Sequence, residues 1–244
     1  MSRKAFFKYG LIICLIIVVS LYFAKTPKQV LLSFDVEEVN TPEQVNFILE
    51  ELSAVNASAT FFVQGNFALE NPDLIKKISK KYEISSHTMT HPRLQKINES
   101  QVKWELTESK KVLMNMTNKT IKGFRAPYNG LNKETMTLIK NNYEYDASMF
   151  KGYSWFFPPI PNGLKEVPIS TMLFIPMEDV IFTYYLKMGD FGYFLMSNKR
   201  KETISIDFHP QHIWEHKLAF KYLLEKYNSQ GAKFMSHEEY LGIK

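Results

Sequence analysis

Short apolar runs recur along this chain, each ending on a polar or titratable residue and each followed by a helix signal. Val30-Leu31-Leu32-Ser33-Phe34 reads as a buried strand that ends at Asp35-Val36-Glu37-Glu38. Thr41-Pro42-Glu43-Gln44 then opens a helix running to about Val55, with Thr41 as N-cap, Pro42 at the first helical position and Gln44 closing a capping box. A second strand over 59–63 stops at Gly65, and Asn71-Pro72-Asp73 opens a lysine-rich helix. Glu83-Ile84-Ser85-Ser86 is a third strand, and it delivers His87. The alternation continues with a helix over 103–116, a strand over 121–124 and a helix over 133–142. It closes with a strand over 203–208 and a helix from about Trp214 to Tyr227. Repeated strand–helix units predict parallel strands in an α/β layer or barrel. In such barrels the chemistry is built at the strand ends. The stretch 151–161, rich in proline and aromatics, reads as an irregular loop and a wall for substrate.

In that frame Ser86-His87-Thr88-Met89-Thr90-His91-Pro92 carries the strongest chemical signal. The His-x-x-x-His spacing lets both imidazoles converge on one divalent cation; the plain alternative is a polar loop whose histidines bond to backbone. A zinc protease motif, His-Glu-x-x-His, brings its own base. Here Thr88, Met89 and Thr90 intervene, so the base must come from elsewhere, and the acids at 35–38 are the obvious source. Along an extended strand Asp35 and Glu37 point one way and Glu38 the other. One can then ligand the cation while the other takes a proton from water, whose pKa the cation lowers. Three solvated acids at a strand end are the competing reading.

Arg125 precedes Pro127 closely enough for an extended backbone and a fixed side-chain direction. It suits a two-pronged hydrogen bond to a carboxylate, against the plain alternative of a surface arginine. A second pair, His212-Ile213-Trp214-Glu215-His216, follows His209-Pro210-Gln211, but no carboxylate cluster leads into it, so the first pair is favoured as the metal site. His237, in Ser236-His237-Glu238-Glu239, reads as a surface cap residue.

The formal charge of +5 is located rather than spread: Arg3, Lys4, Lys8, Lys25 and Lys28 precede the first acid, Asp35, and the remainder is balanced. A neutral domain lacks the footprint of a phosphate-backbone binder, which disfavours nucleic acid. The basic start leads into an uncharged apolar run over 10–24, close to the length of a spanning helix once Ala5-Phe6-Phe7 is added. No small-x-small pattern follows it and Ile13 is too bulky for a lipobox before Cys14, so an uncleaved signal anchor is favoured over a cleaved signal peptide. The basic flank then stays inside and the domain faces the extracytoplasmic side. Residues 1–29 are thus expected to form a basic stub, anchor and linker, and 30–244 the catalytic domain. Cys14 is the only cysteine, so any metal is held by His, Asp or Glu, as in an open catalytic site.

Together these residues resemble the polysaccharide deacetylases, the NodB-homology or family 4 carbohydrate esterases. Ala59-Thr60-Phe61-Phe62-Val63-Gln64-Gly65, the run from Asn71-Pro72-Asp73 to His87-Thr88, and Gly123-Phe124-Arg125-Ala126-Pro127-Tyr128 are each similar to segments of that family, from about Val30 onward. The resemblance implies a distorted (β/α) barrel of the seven-stranded type, here preceded by one transmembrane helix. It implies that His87 and His91 bind zinc, with cobalt or nickel as alternatives, together with a carboxylate. Asp35 would be the general base, held by Arg125; the backbone N–H of Tyr128 would stabilise the oxyanion; His209 would protonate the leaving amine. The implied activity is hydrolysis of linear amides, removing acetyl groups from a cell-envelope or exported polysaccharide.

Three departures stand out. Val36 separates Asp35 from Glu37 where the family has adjacent aspartates, so Glu37 is read as the metal carboxylate with Glu38 as substitute. The family's Asp-Trp motif, which tunes the acid histidine, has no clear copy; Asp146 and Trp155 are the nearby candidates. In Ile206-Asp207-Phe208-His209-Pro210 the apolar Ile206 and Phe208, with Trp155, are expected to wall the acetyl pocket. The altered acid motif keeps open a non-catalytic polysaccharide-binding or assembly protein on the same fold, and a hydrolase of small amides is a third reading. The sequence names no protein partner.

Overall fold

Strand β1 (Gln29–Val36) is the spine of a parallel sheet in the computed structural model, which describes residues 27–198 and 202–243. The expected membrane anchor lies outside the described residues, and no helix among those described is long and apolar enough to cross a membrane. One edge of β1 carries β9 (Thr203–Phe208) from Gln29↔Thr203 to Phe34↔Phe208. The other edge is shared: β10 (Lys233–Met235) pairs with the first half of β1 and β2 (Thr60–Val63) with the second. Beyond β2 lie β3 (Glu83–Ser86), β4 (Gly123–Phe124), β5 (Tyr145–Asp146) and β6 (Lys165–Glu166), all parallel. Because β1 hosts two partners in tandem on one edge, the sheet holds eight strands, one more than the resemblance implies. It curls until the chain beyond β6 reaches β9. There the Ser170 N–H donates to Ser205 O at 2.9 Å and the Asp207 N–H donates to Met177 O at 3.0 Å. A small hairpin, β7 (Thr171–Met172) and β8 (Ile175–Pro176), rides on this excursion.

Helix α1 (Pro42–Ala54) starts as its sequence dictates: the Gln44 N–H donates to Thr41 Oγ1 and the Thr41 N–H to Gln44 Oε1. Its inner face buries Val45, Ile48, Leu49 and Leu52. Thr41→Ala removes the cap and is expected to cost about 1 kcal/mol, read as a lower urea midpoint. Then follow α2 (Gly65–Glu70), α3 (Pro72–Ser79), α4 (Glu99–Thr117), α5 (Lys133–Asn142) and α6 (Asp190–Ser197). α4 begins earlier than its apolar periodicity suggests because Asn98 and Gln101 form a capping box. The single helix expected near 214–227 is two, α7 (Pro210–Glu215) and α8 (Lys217–Ser229). They break at His216 (φ −124°, ψ 38°), whose ring is held by Asp190 at 2.7 Å. The chain ends with α9 (His237–Leu241).

Strand alternation divides the interior in two. Val30, Leu32, Phe34 and Val36 face the helices and join the large core. Leu31, with Phe62, Tyr145, Ala147 and Val167, forms a small apolar plug inside the curl. His237 belongs to this inner face: it is fully buried, not a surface cap residue, with its ring against Phe62 and its Nδ1 at 2.9 Å from Thr60 Oγ1. Burial holds its pKa well below the usual histidine value. The cap expected there is nonetheless present, supplied by Ser236 and Glu239.

Candidate active site

The C-terminal ends of β1, β3, β4 and β9 meet at one mouth of the curl. β1 presents Asp35 and, just past its end, Glu37; β3 delivers His87 and the loop to His91; Arg125 follows β4 and His209 follows β9. The histidine loop is built tightly. Thr88 and His91 both take left-handed conformations (φ 66° and 61°), and the His91 N–H donates to Thr88 Oγ1 at 3.0 Å. From α4 the buried Glu105 accepts the N–H groups of Met89 and Thr90 at 2.8 and 2.9 Å. Gly65 allows the close approach of α2 to this loop, since a Cβ there would sit 2.2 Å from Met89 Sδ.

His87 Nδ1 lies 2.9 Å from the Arg125 carbonyl, which can only accept, so Nδ1 carries the proton and Nε2 offers its lone pair. That Nε2 faces Glu37 Oε1 at 3.8 Å and Asp35 Oδ2 at 3.7 Å, while His91 Nε2 lies 3.2 Å from Glu37 Oε1. Glu37, His87 and His91 therefore form one N,N,O donor set with ligand atoms within 4.8 Å of one another. Two imidazoles and a carboxylate with room for further ligands fit zinc or a similar cation. Burial would raise the Glu37 carboxyl, but His87 and His91, when their Nε2 atoms carry protons rather than offer lone pairs, hold it well below the usual carboxylate range. Glu38 turns away, accepting from Gln64 Nε2 at 2.7 Å and Asn66 Nδ2 at 3.0 Å.

Arg125 is fully buried and does not grip one carboxylate with two prongs. Its Nη1 is a hub, donating to Ser33 Oγ and Asp35 Oδ1 at 2.9 Å each and to Asp207 Oδ1. Its Nε donates to Ala147 O at 2.9 Å, and Nη2 has no partner among the described residues. The bifurcated use of Nη1 follows from the parity of β1 and β9, which turns Ser33, Asp35 and Asp207 into the curl together. Burial works against the guanidinium charge, but Asp207 and Asp35 more than offset it. Asp207, deep in the curl, is pushed well up by burial, with Arg125 pulling the other way.

His209 finds its partner in Asp179, outside the motifs named above. Its Nδ1–H donates to Asp179 Oδ1 and its backbone N–H to Asp179 Oδ2, both at 2.8 Å. Burial lowers the imidazole's proton affinity, but the Asp179 charge and hydrogen bond raise it further, leaving its pKa well above the usual histidine value. Asp146 instead holds Ser148, and Trp155 is 78% exposed and stacked on Tyr153, so neither serves His209. Asp179→Asn is expected to move the alkaline limb of the kcat/KM profile to lower pH. An acid less supported in its protonated form loses its proton sooner as pH rises, and an unmoved limb would count against His209 as the acid.

Ile206 and Phe208 do not wall the cleft. The same parity that turns Asp207 inward turns them outward, where Phe208 stacks among Phe34, Tyr193 and Phe220. The cleft, about 590 Å³, is walled by Ala126, Tyr128, Phe150, Ile181, Tyr184 and Tyr185 around Asp35, His87, His91 and His209. Tyr128 packs on His91 and under the Arg93 guanidinium, 4.0 Å from its ring. Glu178 also lines the cleft; burial pushes its carboxyl up to about 7, with His209 pulling it down and Asp35 pushing it up. His212 reaches the cleft but His216 is committed to Asp190, so the second histidine pair does not converge. Asp179, Glu178, Asp207 and Glu105 were not read from the sequence as site residues. The inward parity of Asp207 with His209 was the one signal available for any of them.

The fold has close counterparts among solved structures. Peptidoglycan deacetylase PdaC from Bacillus subtilis superposes with a TM-score of 0.68 at 16% identity, covering 89% of this chain and 91% of that one. A CE4 family pseudoenzyme from Bacillus anthracis gives 0.66 at 18% identity, over 91% of this chain and 68% of that one. At the level of sequence the chain belongs to the polysaccharide deacetylase family, whose model matches residues 24–147, half of its length. That match contains Asp35, Glu37, His87, His91, Arg125 and Tyr128, and it ends before Asp179 and His209. Among curated relatives, the peptidoglycan-N-acetylglucosamine deacetylase PgdA of Listeria monocytogenes is 30% identical over 112 residues. The chitooligosaccharide deacetylase of Sinorhizobium fredii is 32% identical over 105 residues. These matches span 24% and 47% of the relatives' own lengths.

Proposed function

We propose that this chain is a membrane-anchored, divalent-metal-dependent deacetylase that removes N-acetyl groups from amino sugars of an extracytoplasmic polysaccharide. One observation carries the reading: Asp35 and His209, from neighbouring strands, face the His87–His91–Glu37 donor set across a single cleft. The named activities of the Listeria and Sinorhizobium relatives favour N-acetylglucosamine polymers or oligomers as substrate. The uncharged run over 10–24 supports the anchor and an extracytoplasmic domain.

His87, His91 and Glu37 would hold the cation, which when bound supplies Lewis acidity to water and to the acetyl carbonyl. Arg125 orients Asp35, whose carboxylate takes the proton of the attacking water as its oxygen bonds to the carbonyl carbon. The backbone N–H of Tyr128 is assigned to the developing oxyanion. His209, charged through Asp179, gives its proton to the sugar nitrogen as the C–N bond breaks, releasing acetate and a free amine. The tyrosines at 184 and 185 offer aromatic faces to sugar rings at the cleft rim.

The test is acetate release by the purified full chain, loaded with zinc or cobalt, from N-acetylglucosamine oligomers, chitin and peptidoglycan. Release that is lost on chelation and restored by metal supports the reading. A chain that binds metal and glycan but releases no acetate from any of them overturns it in favour of a non-catalytic binding protein.

A further inference from the structure

The end of the sheet opposite the catalytic mouth, where the strands begin, is strongly basic. There the connections into β3 and β4 flank a cleft of about 520 Å³ lined by Lys80, Lys81, Lys119 and Lys122, by the carboxylates of Glu83 and Glu238, and by hydroxyls from Ser79 and Thr120. The acids at this end offset part of that charge, and each has a partner. Glu83 accepts from Thr60 Oγ1 and from the Glu238 N–H, Glu238 meets Lys122 at 3.7 Å, and Glu202 meets Lys28 at 2.9 Å. Lys81 donates to Ser53 Oγ and Lys119 to the Ser79 carbonyl, both neutral partners. Among the described residues no carboxylate lies within 4.0 Å of the amino groups of Lys80, Lys81 or Lys119. Four lysines thus face two carboxylates in this cleft, and three of the lysines, Lys80, Lys81 and Lys119, have no ion-pair partner among the described residues.

The chain also enters the fold at this end. Gln29 pairs with Thr203 and Lys233, the first residues of β9 and β10. Only residues 25–28 separate it from the apolar run over 10–24, a tether of about 14 Å at full extension. β1 then rises away from this end for about 20 Å before Asp35.

We propose that this basic end docks on an anionic phospholipid surface, headgroup phosphates entering the lysine cleft, so that the catalytic mouth faces away from the bilayer. The inference rests on the anchor reading, and a charge-complementary lipid surface is the occupant that a short tether brings against this face. An anionic leaflet attracts each surface lysine enough to change the docked-to-undocked ratio about fivefold. Docking is therefore expected to weaken steeply with salt.

The experiment uses the full chain in nanodiscs of phosphatidylcholine alone or mixed with phosphatidylglycerol, labelled with an amine-reactive reagent and read by mass spectrometry. In anionic discs Lys28, Lys80, Lys81, Lys119 and Lys165 are expected to label several-fold more slowly than in neutral discs. Lys133 and Lys217, at the helix starts on the catalytic side, are expected to be unchanged. In K80Q/K81Q/K119Q the reporters Lys28 and Lys165 lose their protection. Equal labelling in both lipids overturns the docking. So does equal protection in neutral discs given soluble polyphosphate, which assigns the face to a soluble polyanion. Loss of the chain from neutral discs on washing overturns the anchor reading instead, so the two failures are distinguishable.

Discussion

Asp35→Asn is expected to lower kcat for acetate release by about 10²–10⁴-fold while leaving metal content and thermal midpoint near those of the unaltered chain. The amide keeps an oxygen for Arg125 Nη1, which the native carboxylate accepts at 2.9 Å, so the curl keeps its geometry. What is lost is basicity at the oxygen that faces His87 Nε2 at 3.7 Å. His91→Ala is the contrasting change. It removes the nitrogen that lies 3.2 Å from Glu37 Oε1 and is expected to lose metal and activity together, read by elemental analysis beside the acetate assay. Full turnover by Asp35→Asn would remove the base from the mechanism; lowered turnover with lowered metal content would make Asp35 a ligand.

Arg125→Leu is expected to cost about 3–5 kcal/mol of stability, measured by urea unfolding, because it strips the cation from a buried polar cluster and leaves the carboxyls behind. Asp207 and Asp35 both lean on the one Nη1, and Asp207 Oδ2 already has no partner among the described residues. Lysine is a poor rescue, since Nε also serves the Ala147 carbonyl and a point charge cannot reach both. The deficit carries a pH signature. A carboxyl raised in the folded state, as Asp207 is by burial, holds its proton more tightly there than in the unfolded chain. Stability is then kept in acid and lost as pH rises, so the Arg125→Leu deficit is expected to shrink at low pH and widen as pH climbs above the ordinary carboxylate range. A deficit independent of pH would mean that packing over Phe62, 4.2 Å from the guanidinium, dominates instead.

The alternation of strands and helices was legible because caps and strand ends are local signals. Thr41, Pro42 and Gln44 fix a helix start by themselves, and Glu83 to Ser86 delivers His87 whatever the rest of the chain does. The His87/His91/Glu37 grouping was legible for the same reason: its spacing is short and its residue types are restrictive. Asp179 was not, since it reaches His209 through the excursion between β6 and β9, whose path no local pattern sets. Ile206 and Phe208 were misassigned because apolar residues beside a candidate acid histidine suggest a pocket. Strand parity instead turns them toward the helices and gives the inner positions to Ser205 and Asp207. His237 shows the reverse error, a polar residue in a cap sequence that the final strand carries into the core.

The Phe34↔Phe208 rung leaves Asp35 and His209 one residue beyond a shared ladder, so their separation is set by main-chain bonding between β1 and β9. Much of the cleft wall, by contrast, comes from Phe150, Ile181, Tyr184 and Tyr185 on the long excursion that joins β5 to β9. Apart from Asp179, most groups assigned to the proposed reaction and much of the cleft wall thus lie on different stretches of chain. Exchanging that excursion for another of equal span, with β6 and Asp179 retained, is expected to change which glycan the proposed reaction takes, whereas a one-residue insertion in β9 would dismantle the site itself.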